Sequence, residues 1–480
     1  MLKRKGSEAV LDLLIKNTVI ITMAGRGVGL IPRGNIGIRG NRIEVVSDAD
    51  EPTGNQQAHR VIDGTNKVVL PGLIDAHIHT GIALLRGLAQ DTDHWMQKAL
   101  WPFAAALTPE GEMAGSLVNI IEGVKAGTTT FGDYDSSMAD LLRNHDQVGT
   151  RARVAETINE MPDKITDLEV GEPYPLDAAI GQRQLQSALD LFEQWHDHDS
   201  GRITCMFGPQ GPDMVSKELL LEIRELAAKY DTQIHMHVAQ GDREIDQMTR
   251  RYGKRSIPWL EELGLLDSRL LAVHLTEATD EETRLLAQRG SAMVLCSGSI
   301  GIIDGIIPPA AQFLAAGGKL ALGSDQAPGN NCSNMFNEMK FTAILNKCKA
   351  EDPRVFPAWK VLRLATIEGA RAIGLSDQIG SLQPGKKADI IIVDLDSPAM
   401  CPAIMAPARN IVPNLVYSAN GSEVQTVIVD GRIIMEDRKL VNVDEKQETA
   451  SAREAAQALG YRARPGKNSV AMQMMEKEQL

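Results

Sequence analysis

Residues 70–79 read LPGLIDAHIH, and the architecture of the whole chain can be worked out from them. An apolar run follows the turn-forming Pro71-Gly72 pair and ends on two histidines, His77 and His79. Side chains at i and i+2 of a strand point to the same face, so both imidazoles can reach one ion from one side. The stretch therefore predicts a buried strand that ends in two metal ligands.

Short apolar runs of this kind recur along the chain, and helical patterns separate them. Seven further runs are GTTTFGDY (127–134), RARVAETI (151–158), ITCMFGPQ (203–210), TQIHMHVA (232–239), LLAVHLTE (270–277), AMVLCSGS (292–299) and KLALGSD (319–325). Strands that alternate with helices are typical of βα units and a parallel sheet. Together with the first run they make eight strands, so we predict an α/β fold, a (β/α)8 barrel over residues 69–375.

Two segments between these runs have the apolar spacing of amphipathic helices, namely 217–230 and 279–290. The second begins with Thr279 and Glu282, which is the residue pair of a capping box. Both segments therefore fit the helical half of a βα unit.

The two ends of the chain differ from the barrel segment. Residues 9–68 have the pattern of short strands separated by Gly, Asn and Pro turns, and similar strand patterns return at 387–396 and 424–436. We predict that residues 1–68 and 376–440 together build a small β-sandwich domain. Residues 441–480 are polar and charged, and we expect a helical or loose tail without catalytic residues.

Composition limits the classes of partner. A chain of 480 residues with 43% hydrophobic residues can bury the core of a barrel and of a second unit. The formal net charge of −13 disfavours nucleic acid, because proteins that bind it usually carry a basic surface. No apolar run approaches the roughly 20 residues of a membrane helix. We expect a small neutral or cationic substrate, and neither a nucleic-acid nor a membrane partner.

Cysteine usage and the first residues both favour a cytoplasmic protein. No C-x-x-C pair occurs, so neither a disulfide framework nor a thiolate metal site is indicated. The cysteines are Cys205, Cys296, Cys332, Cys348 and Cys401. The basic start of the chain lacks a signal-peptide pattern, because Asp12 and Lys16 interrupt its apolar run and no small-residue cleavage site follows.

Histidines and a carboxylate gather where the predicted strands end, which is the catalytic face of such a barrel. The residues concerned are His77, His79, His235, His237, His274 and Asp325. Either His235 or His237 can supply a third imidazole. Nitrogen and oxygen donors without thiolate suit one divalent ion, zinc first and iron(II) or manganese next, with a position left for water.

Such an ion acidifies its bound water, so the pattern predicts a hydrolase that attacks with metal-bound hydroxide. Asp325 would take the proton of the water. His274 ends the sixth strand and faces the same mouth, so we expect it to bind the nucleophile or to polarise the electrophile.

Assembled in chain order, these pieces resemble the amidohydrolase superfamily, in the branch that contains S-adenosylhomocysteine deaminase, guanine deaminase and the s-triazine hydrolases. The resemblance covers most of the chain. It is carried by PGLIDAHIHT, EGVKAGTTTFGDY, HMHVAQ, GSD with NMFNEMKF, LRLATIEGARAIGL and IGSLQPGKKADIIIVDLD.

The resemblance implies a ligand set and an assembly. It selects His237 over His235, makes Asp325 both ligand and base, and makes His274 a catalytic residue that is not a ligand. Two-metal members carry a carboxylated lysine on the fourth strand, which here reads ITCMFGPQGP, so a single ion is implied. Relatives tend to be dimers or larger, which implies a homo-oligomer.

Two positions depart from the family pattern. Where deaminases of this branch have a glutamate that shuttles a proton to the leaving amine, this chain has Gln240, and an amide can bind a substrate but cannot shuttle a proton. The glutamate that holds the ribose in nucleoside deaminases falls near Ala104, which disfavours a nucleoside. Trp95 matches a tryptophan of the pocket. The expected substrate-binding residues are Trp95, His94, Asn330, Asn331 and Gln240.

Three functions compete. The leading one is cleavage of a C–N bond in a small N-heterocycle, amide, urea or carbamate-like substrate by a deaminase or amidohydrolase. Hydrolytic dehalogenation of a chlorinated heteroaromatic of the triazine type is the alternative, because one fold hosts many chemistries. The third is a non-catalytic scaffold that kept the barrel. Gln240 favours this reading, but the complete set of metal ligands argues against it.

Overall fold

The computed structural model describes residues 10–51, 57–162 and 171–463, together with Met474 and Lys477. Its strands form two separate sheets. The strands are β1 (Leu11–Ile21), β2 (Leu30–Arg39), β3 (Arg42–Asp48), β4 (Ala58–Asp63), β5 (Lys67–Pro71), β6 (Leu73–His79), β7 (Thr128–Asp135), β8 (Arg151–Ile158), β9 (Ile203–Pro209), β10 (Ile234–Val238), β11 (Leu270–His274), β12 (Ala292–Leu295), β13 (Lys319–Leu322), β14 (Asp325–Gln326), β15 (Ile390–Asp394), β16 (Val424–Val429), β17 (Arg432–Glu436) and β18 (Lys439–Leu440).

Helices connect these strands, with one short 3-10 turn at Ala83–Leu85 and one π-helix at Met96–Leu100. The α-helices are α1 (Trp101–Ala104), α2 (Pro109–Lys125), α3 (Met138–Val148), α4 (Ala178–Trp195), α5 (His198–Gly201), α6 (Lys217–Lys229), α7 (Gly241–Tyr252), α8 (Ser256–Glu262), α9 (Asp280–Arg289), α10 (Ser297–Ile303), α11 (Ala310–Ala315), α12 (Ala327–Asn330), α13 (Met335–Ala350), α14 (Ala358–Leu364), α15 (Ile367–Ala372), α16 (Ile411–Tyr417) and α17 (Glu445–Arg462). None of these described helices is long and apolar enough to span a bilayer.

The larger unit is the predicted (β/α)8 barrel. Strands β6 to β13 lie side by side in chain order, and all of their pairings are parallel. The eighth strand is split into β13 and β14, and β14 pairs in parallel with β6, so the sheet closes on itself. The fold class expected from the alternation of strands and helices is confirmed.

The break in the eighth strand lies at Gly323 and Ser324. A Cβ atom on Gly323 would lie 2.8 Å from the carbonyl oxygen of His77, so only glycine fits there. The backbone N–H of Ser324 donates to Oδ1 of the buried Asp75 at 2.8 Å, and its hydroxyl donates to Oδ2. These contacts bind the last strand to the first and direct Asp325 into the mouth of the barrel.

Helix α9 begins with the expected capping box. In α9 the N–H of Glu282 donates to Oγ1 of Thr279 at 3.2 Å, and the N–H of Thr279 donates to the Glu282 carboxylate at 2.8 Å. The predicted strands 270–277 and 292–299 are too long, because β11 ends at His274 and β12 ends at Leu295, with α10 beginning at Ser297. The buried carboxylate of Glu338 accepts from the backbone N–H groups at the start of α10, which favours a helix there.

The second sheet is a small domain built from both ends of the chain. Its order is β18-β17-β16-β15-β5-β1-β2-β3, with β4 beside β1, and β5 pairs antiparallel with β15. A bridge between Arg42 and Lys387 brings its β3 edge back to the start of β15, so the sheet folds over one apolar core. Helix α17 packs on α2, where Lys125 Nζ lies 2.7 Å from the Glu445 carboxylate.

A buried ion-pair group joins the barrel to the small domain. Arg151, the first residue of β8, is 2% exposed. Its Nε donates to Asp389 at 2.6 Å and its Nη2 to Asp430 at 3.1 Å. Lys387 Nζ lies 3.0 Å from the same Asp430 carboxylate, so two cations meet two carboxylates. Burying these carboxylates costs solvation energy, and the two cations are needed to offset that cost.

We expect Arg151→Met to lower the free energy of unfolding by about 3–5 kcal/mol, because it leaves a buried carboxylate without its partner. Urea-unfolding midpoints, monitored by tryptophan fluorescence, measure this loss. The matched control is Arg432→Met, which removes an exposed pair with Asp199 and should cost less than about 1 kcal/mol. Equal midpoints for the two variants would show that the buried group does not hold the domains together.

Candidate active site

Five residues meet at the C-terminal ends of the barrel strands. They are His77 and His79 of β6, His237 of β10, His274 of β11 and Asp325 of β14. Asp325 Oδ1 lies 3.5 Å from Nε2 of His77 and 3.5 Å from Nε2 of His79. Two groups of potential ligand atoms each fall within 4.8 Å, one from His77, His79 and Asp325 and one from His77, His237 and His274. The predicted strand-end residues are therefore brought together.

Hydrogen bonds orient the imidazoles from behind. The Nδ1–H of His237 donates to the carbonyl oxygen of Gln210 at 2.7 Å, which leaves its Nε2 for the centre of the site. His77 Nδ1 and His235 Nε2 share a hydrogen bond of 2.9 Å, so Nε2 of His77 is also left for the centre. His235 thus supports His77 from behind and does not lie at the centre.

The imidazoles of the site are held neutral. Burial lowers the pKa of His79 to about 3. Burial likewise holds the pKa values of His77, His237 and His274 below their ordinary value. Only a neutral imidazole can donate a lone pair to a metal ion, so the set is ready for coordination.

Several buried polar atoms of the site lack a hydrogen-bond partner within the described part of the chain. They are His77 Nε2, Asp325 Oδ1 and both ring nitrogens of His274. Leaving a buried polar atom without a partner costs about 1–3 kcal/mol, and here these atoms converge. A divalent ion that accepts nitrogen and oxygen donors would satisfy the first two at once, so the residues fit such an ion.

Asp325 is held so that its two carboxylate oxygens face different groups. The hydroxyl of Ser299 donates to Oδ2, and His274 Nε2 lies 4.0 Å from the same oxygen, while Oδ1 faces His77 and His79. The backbone is left-handed at Asp325 (φ 61°) and at His274 (φ 75°). Non-glycine residues in that region cost about 1–3 kcal/mol each and persist where their surroundings fix them, as at active sites.

A cavity of about 180 Å³ opens directly over this group, bounded by His79, His237 and Asp325. The predicted contact residues Trp95 and Gln240 lie in its wall. Other wall residues include Ile82, Met96, Leu100, Tyr134, Thr157, Asn159 and Met214. The wall also contains Asp135, Ser136, Gln210, Asp213, Arg243, Glu244 and Gln326, so both apolar and polar groups face a small molecule bound there.

A narrower cavity of about 50 Å³ adjoins the first one. His94 lies in its wall, and Trp95, Gln240 and Arg243 belong to the walls of both cavities. Ala104 is not among the described residues that line either space. His94, a predicted substrate contact, therefore lines the adjoining cavity and not the one over the histidines.

The structure places Asn330 and Asn331 away from both cavities. Nδ2 of Asn330 donates to the carbonyl oxygen of Ser324 at 2.8 Å, and Asn330 is buried. Oδ1 of Asn331 accepts from the N–H of Gly87 at 2.8 Å. These two residues, expected to contact the substrate, line neither cavity, and their amides bind neighbouring backbone.

Three supporting residues escaped the sequence analysis. Asp75 stands two residues before His77, on the same face of the strand by alternation, and burial raises its pKa to about 7. Arg243 follows Gln240 by three residues, a spacing that places both on one side of a helix start. No pattern in the sequence points to Ser299, because the helix that carries it was expected to be strand.

Comparisons with known proteins agree with this geometry. The profile of the Amidohydrolase family matches residues 68–434. The 5-methylthioadenosine/S-adenosylhomocysteine deaminase of Thermoanaerobacter pseudethanolicus is 35% identical over 436 residues, which cover 90% of this chain and 96% of that protein. The 5'-deoxyadenosine deaminase of Methanosarcina mazei is 33% identical over 458 residues, which cover 93% and 98% respectively.

Solved structures have the same fold. An adenosine deaminase from Xanthomonas campestris with bound zinc superposes with a TM-score of 0.85 at 28% identity, over 94% of this chain and 99% of that one. An atrazine chlorohydrolase from Arthrobacter aurescens complexed with zinc gives 0.81 at 21% identity, over 92% and 100%, which is a likeness of fold. The chain therefore belongs to the amidohydrolase family, and it is a hydrolase of C–N bonds with a metal site.

Proposed function

We propose that this enzyme is a metal-dependent deaminase of a small amino-substituted N-heterocycle. The observation that carries the proposal is the Asp325 carboxylate, which offers Oδ1 to His77 and His79 and keeps Oδ2 beside His274 under an open cavity. One oxygen can serve as a ligand while the other takes a proton. Relatives named for deamination of adenosine-type compounds support the same reaction class.

We propose that His77, His79, His237 and Asp325 hold one divalent ion, and that the ion is zinc, as in the Xanthomonas campestris neighbour. A bound ion of this kind supplies a hydroxide nucleophile near neutral pH, because it acidifies water. Asp325 takes the proton of the attacking water. His274, neutral and buried, donates a hydrogen bond that orients the nucleophile on the substrate side.

Gln240 limits the choice of leaving group. Its amide cannot deliver a proton, so another group must protonate the departing ammonia, and Asp325 and His274 are our candidates. A chloride leaves without a proton. For that reason we keep hydrolytic dehalogenation of a chlorinated heteroaromatic as the second candidate.

We propose that the domains divide at 1–68, 69–375 and 376–440, with 441–480 as a tail. We also propose a cytoplasmic homo-oligomer; the cysteines in the described part of the chain are all free thiols, which supports a reducing compartment.

The reaction class can be tested by product analysis. Purified zinc-loaded enzyme should release ammonia from at least one member of a panel of aminopurines, adenine nucleosides, aminopterins and aminotriazines. Chloride release from chlorotriazines in a parallel assay would support the second candidate instead. A zinc-loaded Asp325→Asn enzyme is the control, because it keeps an oxygen ligand but cannot take a proton. If the enzyme releases neither ammonia nor chloride from these compounds, both candidates are wrong.

The ligand set can be tested by metal analysis without any substrate. We expect about one equivalent of metal per wild-type chain and much less in His237→Ala, because three protein nitrogens are typical of such a site. His235→Ala should weaken metal affinity by roughly 10–100-fold without abolishing binding, because it removes the support behind His77. His59→Ala, a change at an exposed strand of the small domain, is the matched control. A metal-free wild-type protein that takes up no added zinc would favour the scaffold.

The role of position 240 predicts a gain of function. If return of a proton to the leaving amine limits the rate, Gln240→Glu should raise kcat on amine-leaving substrates by about 10-fold or more, because a carboxyl group can shuttle that proton. Gln240→Leu is the control and should not raise kcat. An unchanged kcat and KM for both variants would contradict any contact between this residue and the substrate.

A further inference from the structure

An arginine inside the barrel lacks the carboxylate partner that a buried cation usually has. Arg153 is the third residue of β8, so it lies toward the N-terminal end of the barrel strands, away from the metal site. We propose that Arg153 and Gln233 bind a small oxyanion that keeps one O–H group, as hydrogen phosphate and bicarbonate do. This second site is independent of the proposed function.

The guanidinium of Arg153 is charged and has no counter-ion. Its Nε is buried without a hydrogen-bond partner, and among the described residues no carboxylate forms an ion pair with it. Burial lowers the pKa of Arg153 to about 10, so the group is still protonated at neutral pH. The nearby thiol of Cys205 does not offset the charge, because burial raises its pKa to about 12. A buried charge without a partner is costly, so an anion would stabilise this one.

The carboxylates at this end of the barrel are already neutralised. Arg151 stands two residues before Arg153, on the same face of β8 by alternation. It binds both Asp389 and Asp430. Lys387 binds Asp430 as well, so two cations meet two carboxylates. Arg153 is a third cation, and this group has no negative charge left for it.

A hydrogen-bond acceptor without a partner lies beside the arginine. Gln233 is 8% exposed, and its Oε1 accepts no hydrogen bond within the described part of the chain. Its Nε2 donates to the carbonyl oxygen of Ala372 at 2.9 Å, which fixes the orientation of the amide. A Cβ atom on Gly374 would lie 3.5 Å from Oε1 of Gln233 and 3.7 Å from Nη2 of Arg153. Both atoms therefore border the same bare glycine.

The two groups select a ligand that is both acceptor and donor. A guanidinium has only donors and binds the oxygens of an oxyanion, whereas the amide oxygen of Gln233 needs a donor. Hydrogen phosphate and bicarbonate offer both, because each carries negatively charged oxygens and an O–H group at neutral pH. Sulfate has no O–H group and would leave Oε1 unpaired. Arg153 is partly exposed, so a small solute can reach it.

Thermal melting of the full-length, zinc-loaded protein tests the charge of the site. In a chloride medium without oxyanions, Arg153→Met should melt no lower than wild type, because it removes a buried charge that has no partner. Added phosphate should raise the melting temperature of wild type by about 2 °C more than that of the variant, since a ligand of the folded state stabilises it. Arg284→Met, which removes an exposed pair with Glu281, is the matched control and should respond like wild type.

Isothermal titration calorimetry tests the O–H group of the ligand. Phosphate, bicarbonate and sulfate are titrated separately into wild type at one ionic strength and neutral pH. We expect phosphate or bicarbonate to bind about 10-fold more tightly than sulfate, because sulfate leaves a buried acceptor unpaired. Gln233→Leu should reduce this preference to within about threefold, and Arg153→Met should abolish the site for all three ions. Arg153→Lys keeps the charge with fewer donors and should bind about 10-fold more weakly, so it serves even if Arg153→Met does not fold.

Each result supports or overturns the site. A lower melting temperature of Arg153→Met in the chloride medium would show that the guanidinium is structural, and would overturn it. An equal phosphate response of wild type and Arg153→Met would place the ion at the metal or mark an adventitious ion only. Sulfate that binds wild type as tightly as phosphate and bicarbonate would overturn the role of Gln233. Release of ammonia does not enter the test, so failure of the proposed function would leave these results unchanged.

Discussion

The site depends on the seam where the last barrel strand meets the first. Asp75 accepts two hydrogen bonds from Ser324, and Gly323 lets the chain pass against the backbone of His77. This contact closes the barrel and sets Asp325 opposite the imidazoles of the first strand. Without this seam, Asp325 and the two histidines of the first strand would lie at opposite edges of an open sheet.

Three of the five residues at the centre are each held by a hydrogen bond to a neighbour outside it. His237 bonds to the backbone of Gln210, His77 to His235, and Asp325 to Ser299. His77 Nε2 and Asp325 Oδ1 face the centre and have no hydrogen-bond partner in the described part of the chain. The surrounding residues therefore fix the positions of these atoms without forming hydrogen bonds to them. Rigid support of this kind is what keeps donor geometry within the tolerance that coordination and catalysis need.

Sequence patterns predicted the strands and the strand-end histidines well, because alternation and spacing are local properties. The resemblance to the amidohydrolase family pointed to Trp95 and Gln240 as pocket residues, and both lie in the wall of the cavity. Sequence reasoning could not place Asn330 and Asn331, whose amides turn to backbone that only the folded loop brings near. Ser299 was missed for a related reason: the apolar run continues past Leu295, and the buried Glu338 that starts a helix there is far away in sequence.

The small domain also has a consequence for biosynthesis. Strand β5 pairs with β15, which follows it by roughly 320 residues. At the usual ribosomal rate of roughly 5–20 residues per second, this edge of the nascent sheet waits about 15–60 s for its partner. An unpaired edge strand is a template for wrong pairing, so the emerging chain is most exposed to aggregation until β15 has been made.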